Sequence, residues 1–270
     1  LMEEDQTLEL HRDDQTKEMV VSGMGQVHLE VMVEKLKRKF GVDVELKTPR
    51  VPYLETFRAT VNAQGKYKRQ TGGRGQYGDC SVEFSPIGRG EGFRFVDRIV
   101  GGVIPRQYVP AVEKGIYEAS REGVLAGYPL VDFQAAVYDG SFHTVDSSEM
   151  AFKIAGSLAF KKAMETAKPI LLEPIVKMKV TVPEEHIGEV IGDLNSRRGK
   201  IVGVEPKANS QIIRTVVPMA EVLAYATDLR SMTSDRGLFT QEFSHYEEVP
   251  THLAQKIVAE QVERQKEKGH

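Results

Sequence analysis

Cysteine is all but absent. Cys80 stands alone in 270 residues, so an intramolecular disulfide framework is impossible and the usage fits a reducing cytosol. Zinc-site spacing is lacking too: the seven histidines are scattered, with no pair at ligand spacing, which sets a structural metal aside. Long hydrophobic runs do not occur. Nothing approaches the ~18 consecutive apolar residues of a membrane span, and no signal-peptide pattern opens the chain, so no membrane partner is expected. The tripeptide Gly-Lys-Ser/Thr that closes a P-loop is not present, nor is other nucleotide-hydrolysing machinery.

What is present is ordinary in bulk and uneven in detail. Hydrophobic residues make up 40% and charged residues 28%, as in most globular proteins, and the length suits more than one domain. Net charge is −3, yet Phe57 to Asp79 holds five bases (Arg58, Lys66, Lys68, Arg69, Arg74) against the single acid Asp79. Such a cluster is either a solvated strand face or a surface that meets phosphates.

Hydrophobic periodicity divides the chain into three blocks. Residues 8–46 read as two strands, a helix with Val27, Val31, Met32, Leu36 and Phe40 on one face and a stop at Gly41, and a strand over 42–46. That is β-β-α-β, a split βαβ unit without its first strand and helix. Residues 1–50 are therefore read as the tail of a domain, and the chain as a portion of a longer protein. The middle block, to about Pro169, alternates over 56–69, 79–87 and 131–137. Its first helix opens at Pro110 and ends at Gly123, and its second is capped by Asp146 with Glu149 three residues on. The last block reads β-α-β-β-α-β plus a helix opening at Pro250, the whole split βαβ pattern, with its first helix stopped at Gly199.

Within the middle block, Gly73-Arg74-Gly75-Gln76-Tyr77-Gly78 spells G-x-G-x-x-G. A dinucleotide loop of that form needs a helix after it to hold the pyrophosphate. Here Cys80, Val82 and Phe84 alternate, so a strand follows, and a nucleotide-binding enzyme becomes a distant alternative. The loop instead joins two strands. Its glycines admit close backbone approach, Arg74 supplies a charged fork, and Gln76 and Tyr77 offer amide and stacking contacts to RNA. A second connection, residues 138–150, carries Ser141, His143 and Asp146. Their closeness in sequence argues against a catalytic triad. It reads as a turn and helix cap with a loop histidine.

The stretches "QTGGRGQYGD", "VGGVIPRQYVPAVEKGI", "YDGSFHTVDSSEMAFKIAGSLAFKKA" and "PEEHIGEVIGDLNSRRGKI" together resemble translation elongation factor G. So do "SGMGQVHLEVMVEKLKRKFGV" and "YATDLRSMTSDRGLFTQEFSHYEEVP". The match runs through nearly the whole chain in the family's order. The resemblance implies an α+β chain of three parts: 1–55, the later part of a ferredoxin-like third domain; 56–173, a fourth domain like domain 2 of ribosomal protein S5; and 174–270, a ferredoxin-like split βαβ fifth domain with a C-terminal helix. It implies movement of tRNA and mRNA through the ribosome, driven by GTP hydrolysis in preceding domains that would hold GTP and Mg. This portion then has no cofactor, metal or catalytic residue of its own. The fourth domain is implied to mimic a tRNA and enter the decoding site. Carried over by motif, Gly72, Gly73, Arg74, Gly75, Gln76 and Tyr77 form one tip loop and Asp139, Gly140, Ser141 and His143 the other, with Lys66, Lys68 and Arg69 in support. Arg197, Arg198 and Lys200 of the fifth domain are the implied contacts with large-subunit RNA and proteins. The implied molecule is a cytoplasmic monomer whose partners are the ribosome and the mRNA–tRNA duplex. The alternative is a paralogue acting in ribosome recycling or protection. At Asp79 the family often has histidine, and a carboxylate beside phosphates is tolerable only if it faces inward.

Overall fold

A computed structural model of the chain describes residues 5, 7–13, 16–23, 25–70 and 75–268. In chain order its elements are β1 (Glu9–Arg12), β2 (Met19–Ser22), α1 (Gln26–Phe40), β3 (Leu54–Phe57), β4 (Val61–Arg69), β5 (Gln76–Pro86) and β6 (Phe93–Asp97). Then follow α2 (Val109–Glu122), β7 (Phe133–Ser141), α3 (Glu149–Met164), β8 (Pro169–Pro183), α4 (Ile187–Ser196), β9 (Lys200–Lys207), β10 (Ser210–Pro218), α5 (Tyr225–Thr233), β11 (Leu238–Glu248) and α6 (Thr251–Lys268). The chain forms two compact units: Leu1–Pro52 with Glu173–His245, and Tyr53–Leu172 with Tyr246–His270.

In the first unit, β8 to β11 form a sheet in the order β11-β8-β10-β9, the strand order of a split βαβ fold. Val176, Met178, Val180 and Val182 alternate onto one face of β8 and bury completely with Val190, Leu194, Ile213, Tyr225 and Leu229. Helix α4 ends one residue earlier than expected. Arg198, not Gly199, takes the left-handed conformation (φ 65°), while Gly199 N donates to Leu194 O at 2.8 Å and Arg198 N to Asn195 O at 3.1 Å. This is a Schellman ending with arginine where glycine is usual. Near the N-terminus β1 and β2 pair with each other, and among the described residues with no other strand. The strand expected over 42–46 does not form. Val42, Val44 and Leu46 are exposed, and alternation without a strand edge to bond to leaves the backbone irregular.

The second unit is a four-stranded sheet, β4-β5-β7-β6, backed by α2 and α3. Pairing is antiparallel except between β6 and β7, which run parallel and are joined through α2, as a parallel connection requires. Phe84, Phe133, Phe152 and Phe160 are fully buried; each such ring is worth about 1.5–3 kcal/mol of burial. Glycine sets how near the helix lies. A Cβ on Gly65 would fall 1.9 Å from the Ala155 carbonyl oxygen of α3, and one on Gly78 would fall 2.5 Å from that of Ala151.

The alternation read over 56–69 is two strands, because Arg58 N and Ala59 N both donate to Ala167 O and bend the chain between β3 and β4. Beside that bend, Glu55 is wholly buried. Its carboxylate accepts from Val124 N (2.6 Å), Leu125 N (2.9 Å), Ala126 N (2.9 Å) and Tyr128 N (3.1 Å). Four amide dipoles converge on one buried charge and fix the chain leaving α2. Replacing Glu55 by glutamine turns an NH2 group against amide donors. It is expected to cost about 2–4 kcal/mol, measured by urea unfolding of the two proteins; equal midpoints would remove this role.

Candidate nucleic-acid interface

The site grows out of three adjacent strands. Register places Lys66 of β4 opposite Asp79 of β5, and Asp79 opposite Ser141 of β7. Asp79 is only 5% exposed. Its oxygens accept from Gln64 Nε2 (2.8 Å) and Ser141 Oγ (2.9 Å), with Tyr77 Oη at 3.5 Å and Lys66 Nζ at 3.8 Å. The carboxylate therefore meets the condition its position imposes: its charge is answered inside the row and covered by neighbours. It also acts on Cys80, whose thiol burial, then the Asp79 charge, pushes up to about 12. Cys80 is an inert core thiol.

Beyond this row the chain makes two connections at the same end of the sheet. The first follows β4. Gly72, Gly73 and Arg74 lie outside the described residues; Gly75, Gln76 and Tyr77 are described. The second follows β7 and includes residues 142–148. Gly75 N donates to Asp146 Oδ1 (3.0 Å) and Tyr77 N to Asp146 O (2.9 Å). Ser147 Oγ donates to Tyr77 O (2.9 Å) and accepts from His143 N (2.9 Å). Gly75, Gln76, Tyr77 and His143, expected at the tip, and Lys68 and Arg69, expected in support, thus line one open depression of about 190 Å³ together with Gln70 and Asp146. Asp139, Gly140 and Ser141 sit farther back on β7, and Lys66 is engaged with Asp79 and the Tyr77 ring, 5.6 Å from its centroid.

Two sequence expectations change here. The residue capping α3 is Ser148, which accepts from Ala151 N; Asp146 is released from that role and ties the two connections instead. The Tyr77 hydroxyl is bonded to Ser141 Oγ at 2.7 Å, so the ring expected to be free for stacking is tied into the strand row. Ser147 and Gln64 were not singled out from sequence. Ser147 and Tyr77 are 70 residues apart, and no local pattern encodes that contact.

In the first unit Arg197 and Arg198 point into their own domain. Arg197 donates to Asp193 Oδ2 (2.8 Å), Asp228 Oδ2 (2.8 Å) and Glu221 O (2.9 Å), with its guanidinium 5.3 Å from the Tyr225 ring centroid. Arg198 makes a two-pronged contact with the buried carboxylate of Glu173. Hydrogen bonds to Asp193 and to Glu173 are the main causes raising the two guanidinium pKa values above normal. A phosphate would compete with these carboxylates. Lys200 begins β9 and is exposed.

The G-x-G-x-x-G reading as a nucleotide loop fails on geometry, since β5 occupies the place of the required helix. Among the described residues no cluster of histidine, cysteine and carboxylates has metal-binding form, and no helix is long and apolar enough to cross a membrane.

A complete split βαβ sheet in one unit and a helix-backed four-stranded sheet in the other make this an α+β chain. Three family models then match in succession: elongation factor G domain III over residues 1–48, elongation factor G domain IV over 49–168, and the elongation factor G C-terminus over 170–257. The chain belongs to the elongation factor G family. It is also similar to a solved structure, the crystal structure of ttk003000868 from Thermus thermophilus, with 49% identity and a TM-score of 0.88. The match covers 97% of this chain and 39% of that one.

Removing the Asp79 carboxylate takes away the acceptor of Gln64 Nε2 and of Ser141 Oγ, which keeps only Tyr77 Oη. Asp79→Ala is expected to lower stability by about 1–3 kcal/mol, read as a shift of the urea midpoint. An unchanged midpoint would show that the row does not hold the strands.

Proposed function

We propose that this chain is the ribosome-contacting part of an elongation factor G-type translational GTPase that promotes tRNA–mRNA translocation. The supporting observation is the tip of the second unit. Lys68, Arg69, Gly75, Gln76 and His143 border one depression, while Asp79, the acid closest to them in sequence, is covered and bonded. Cations and amides facing outward, with Asp79 turned in and Asp146 engaged by Gly75 N, make a surface for phosphate and 2′-hydroxyl groups. The tip enters the decoding site as the codon–anticodon duplex leaves and hinders its return. Gly72, Gly73 and Arg74, assigned to RNA contact by the family motif, lie outside the described residues. Asp139, Gly140 and Ser141 form the base of the second.

GTP and Mg are held by a G domain elsewhere in the protein, and this part breaks no bond. Lys200, exposed at the start of β9, faces large-subunit RNA and proteins, while Arg197 and Arg198 brace the turn before it through their carboxylate partners. The protein works as a cytoplasmic monomer. A second reading keeps the same surface but assigns it to a paralogue in ribosome recycling or protection. It is favoured by Asp79, where the family often has histidine.

Two measurements test the proposal in the full-length factor. His143→Ala is expected to slow single-turnover translocation about 10-fold or more, the worth of one hydrogen bond at the tip, with GTP hydrolysis intact. Unchanged translocation would remove His143 from the mechanism, and a wild-type factor that recycles ribosomes but does not translocate would favour the paralogue. Ribosome affinity is expected to fall steeply with salt, by about 0.7–0.9 logarithmic units per logarithmic unit of salt for each phosphate contacted. A flat dependence would point to protein contacts.

A further inference from the structure

Asp146 occupies an unusual position for a loop acid bordering a cationic surface. One carboxylate oxygen accepts from Gly75 N (3.0 Å), and its carbonyl accepts from Tyr77 N (2.9 Å). It thus holds the start of β5 from two sides. A Cβ at Gly75 would lie 2.9 Å from the Asp146 carboxyl carbon, so the carboxylate sits directly against the first connection. Its other oxygen is 3.4 Å from His143 Nδ1. The His143 ring is itself fixed: Nδ1 accepts from the amides of Val145 and Asp146, both at 3.3 Å. Two amide hydrogens aimed at Nδ1 require its lone pair there, so the neutral ring carries its hydrogen on Nε2.

We propose that Asp146 is the positioning residue of the tip, clamping the two connections together so that His143 presents Nε2–H outward as a donor to an oxygen acceptor of RNA. The clamp needs an acceptor oxygen toward Gly75 and does not need a full negative charge. With Nδ1 accepting from two amides, the carboxylate oxygen 3.4 Å away faces a lone pair and makes no bond to the ring, which the amides hold. Asparagine keeps an acceptor on Gly75 N and turns its NH2 group, a donor, toward Nδ1. Alanine removes the acceptor on Gly75 N.

The test compares Asp146→Ala and Asp146→Asn. Amide hydrogen exchange at Gly75 and Tyr77 and the imidazole nitrogen shifts of His143 are read on the full-length protein without ribosomes. Single-turnover translocation is read with them. In alanine, exchange at Gly75 is expected to quicken about 10-fold, since a hydrogen bond to a charged acceptor is worth a decade or more in an opening equilibrium. Translocation is expected to slow by a similar factor. Asparagine should keep both within about threefold and retain the Nε2–H tautomer. The clamp is overturned if alanine leaves Gly75 exchange unchanged, or if asparagine falls as far as alanine. The outward donor is overturned if wild-type His143 carries its hydrogen on Nδ1. The translocation arm rests on the ribosomal reading, whereas the exchange and tautomer arms do not. A wild-type protein inactive in translocation therefore counts against that reading alone.

Discussion

Backbone amides captured by side-chain carboxylates hold the second unit in shape. Glu55 takes four of them along the chain after α2. Asp132, nearly buried, takes those of Gly90 and Gly92 in the turn before β6. Asp146 takes that of Gly75 at the tip. Each of these segments is irregular and has no ladder to satisfy its N–H groups, so a carboxyl oxygen supplies the acceptor that a neighbouring strand would. The device also sorts charge. Glu55 and Asp132 are removed from the surface in this way, and Asp146 is turned toward a backbone amide, so that a chain of net charge −3 shows bases at the end of one sheet. Fold and surface potential are in this sense one arrangement.

The first unit treats charge the opposite way. There the cations are occupied: Arg197 spans Asp193, Asp228 and the Glu221 carbonyl, and Arg198 answers the buried Glu173. Arg198 does so from a left-handed backbone that would suit glycine better. The strain is tolerated because glycine would leave Glu173 buried without its partner, a larger cost than the αL conformation. A run of bases, on β4 or after α4, therefore has two quite different outcomes, and the deciding factor is whether the fold brings carboxylates to it.

That difference marks the boundary of what was legible in the sequence. Alternation and helical spacing located the strands and helices of both units, including the full split βαβ order, because burial on one face is a local pattern. The same pattern misled at residues 42–46, where no strand edge meets it. Glycine spacing correctly read as strand-to-strand, since Cys80, Val82 and Phe84 alternate behind it. The cap of α3 was misassigned because Asp146 and Ser148 both precede the helix within reach, and only the contact with Gly75, 71 residues away, draws Asp146 aside. Ser147 and Gln64 were silent for the same reason. Partners distant in sequence decide which polar residue is structural and which faces solvent.

The glycine string shows how a motif can keep its letters and lose its ligand. In dinucleotide loops the third glycine permits close packing of helix against strand. Gly78 serves that same purpose here: α3 lies so near β5 that a Cβ would sit 2.5 Å from the Ala151 oxygen. Gly75 is small for a second reason, since the Asp146 carboxylate fills the space beside it. What the spacing reports is backbone approached closely at intervals. In one fold the approaching group is a pyrophosphate at a helix N-terminus. In this one it is the helix itself, and then a carboxylate of the opposite loop. The nucleic acid proposed to meet this tip does so at the outer edge of that packing, through Lys68, Arg69 and His143, rather than through the glycines that first suggest a phosphate cradle.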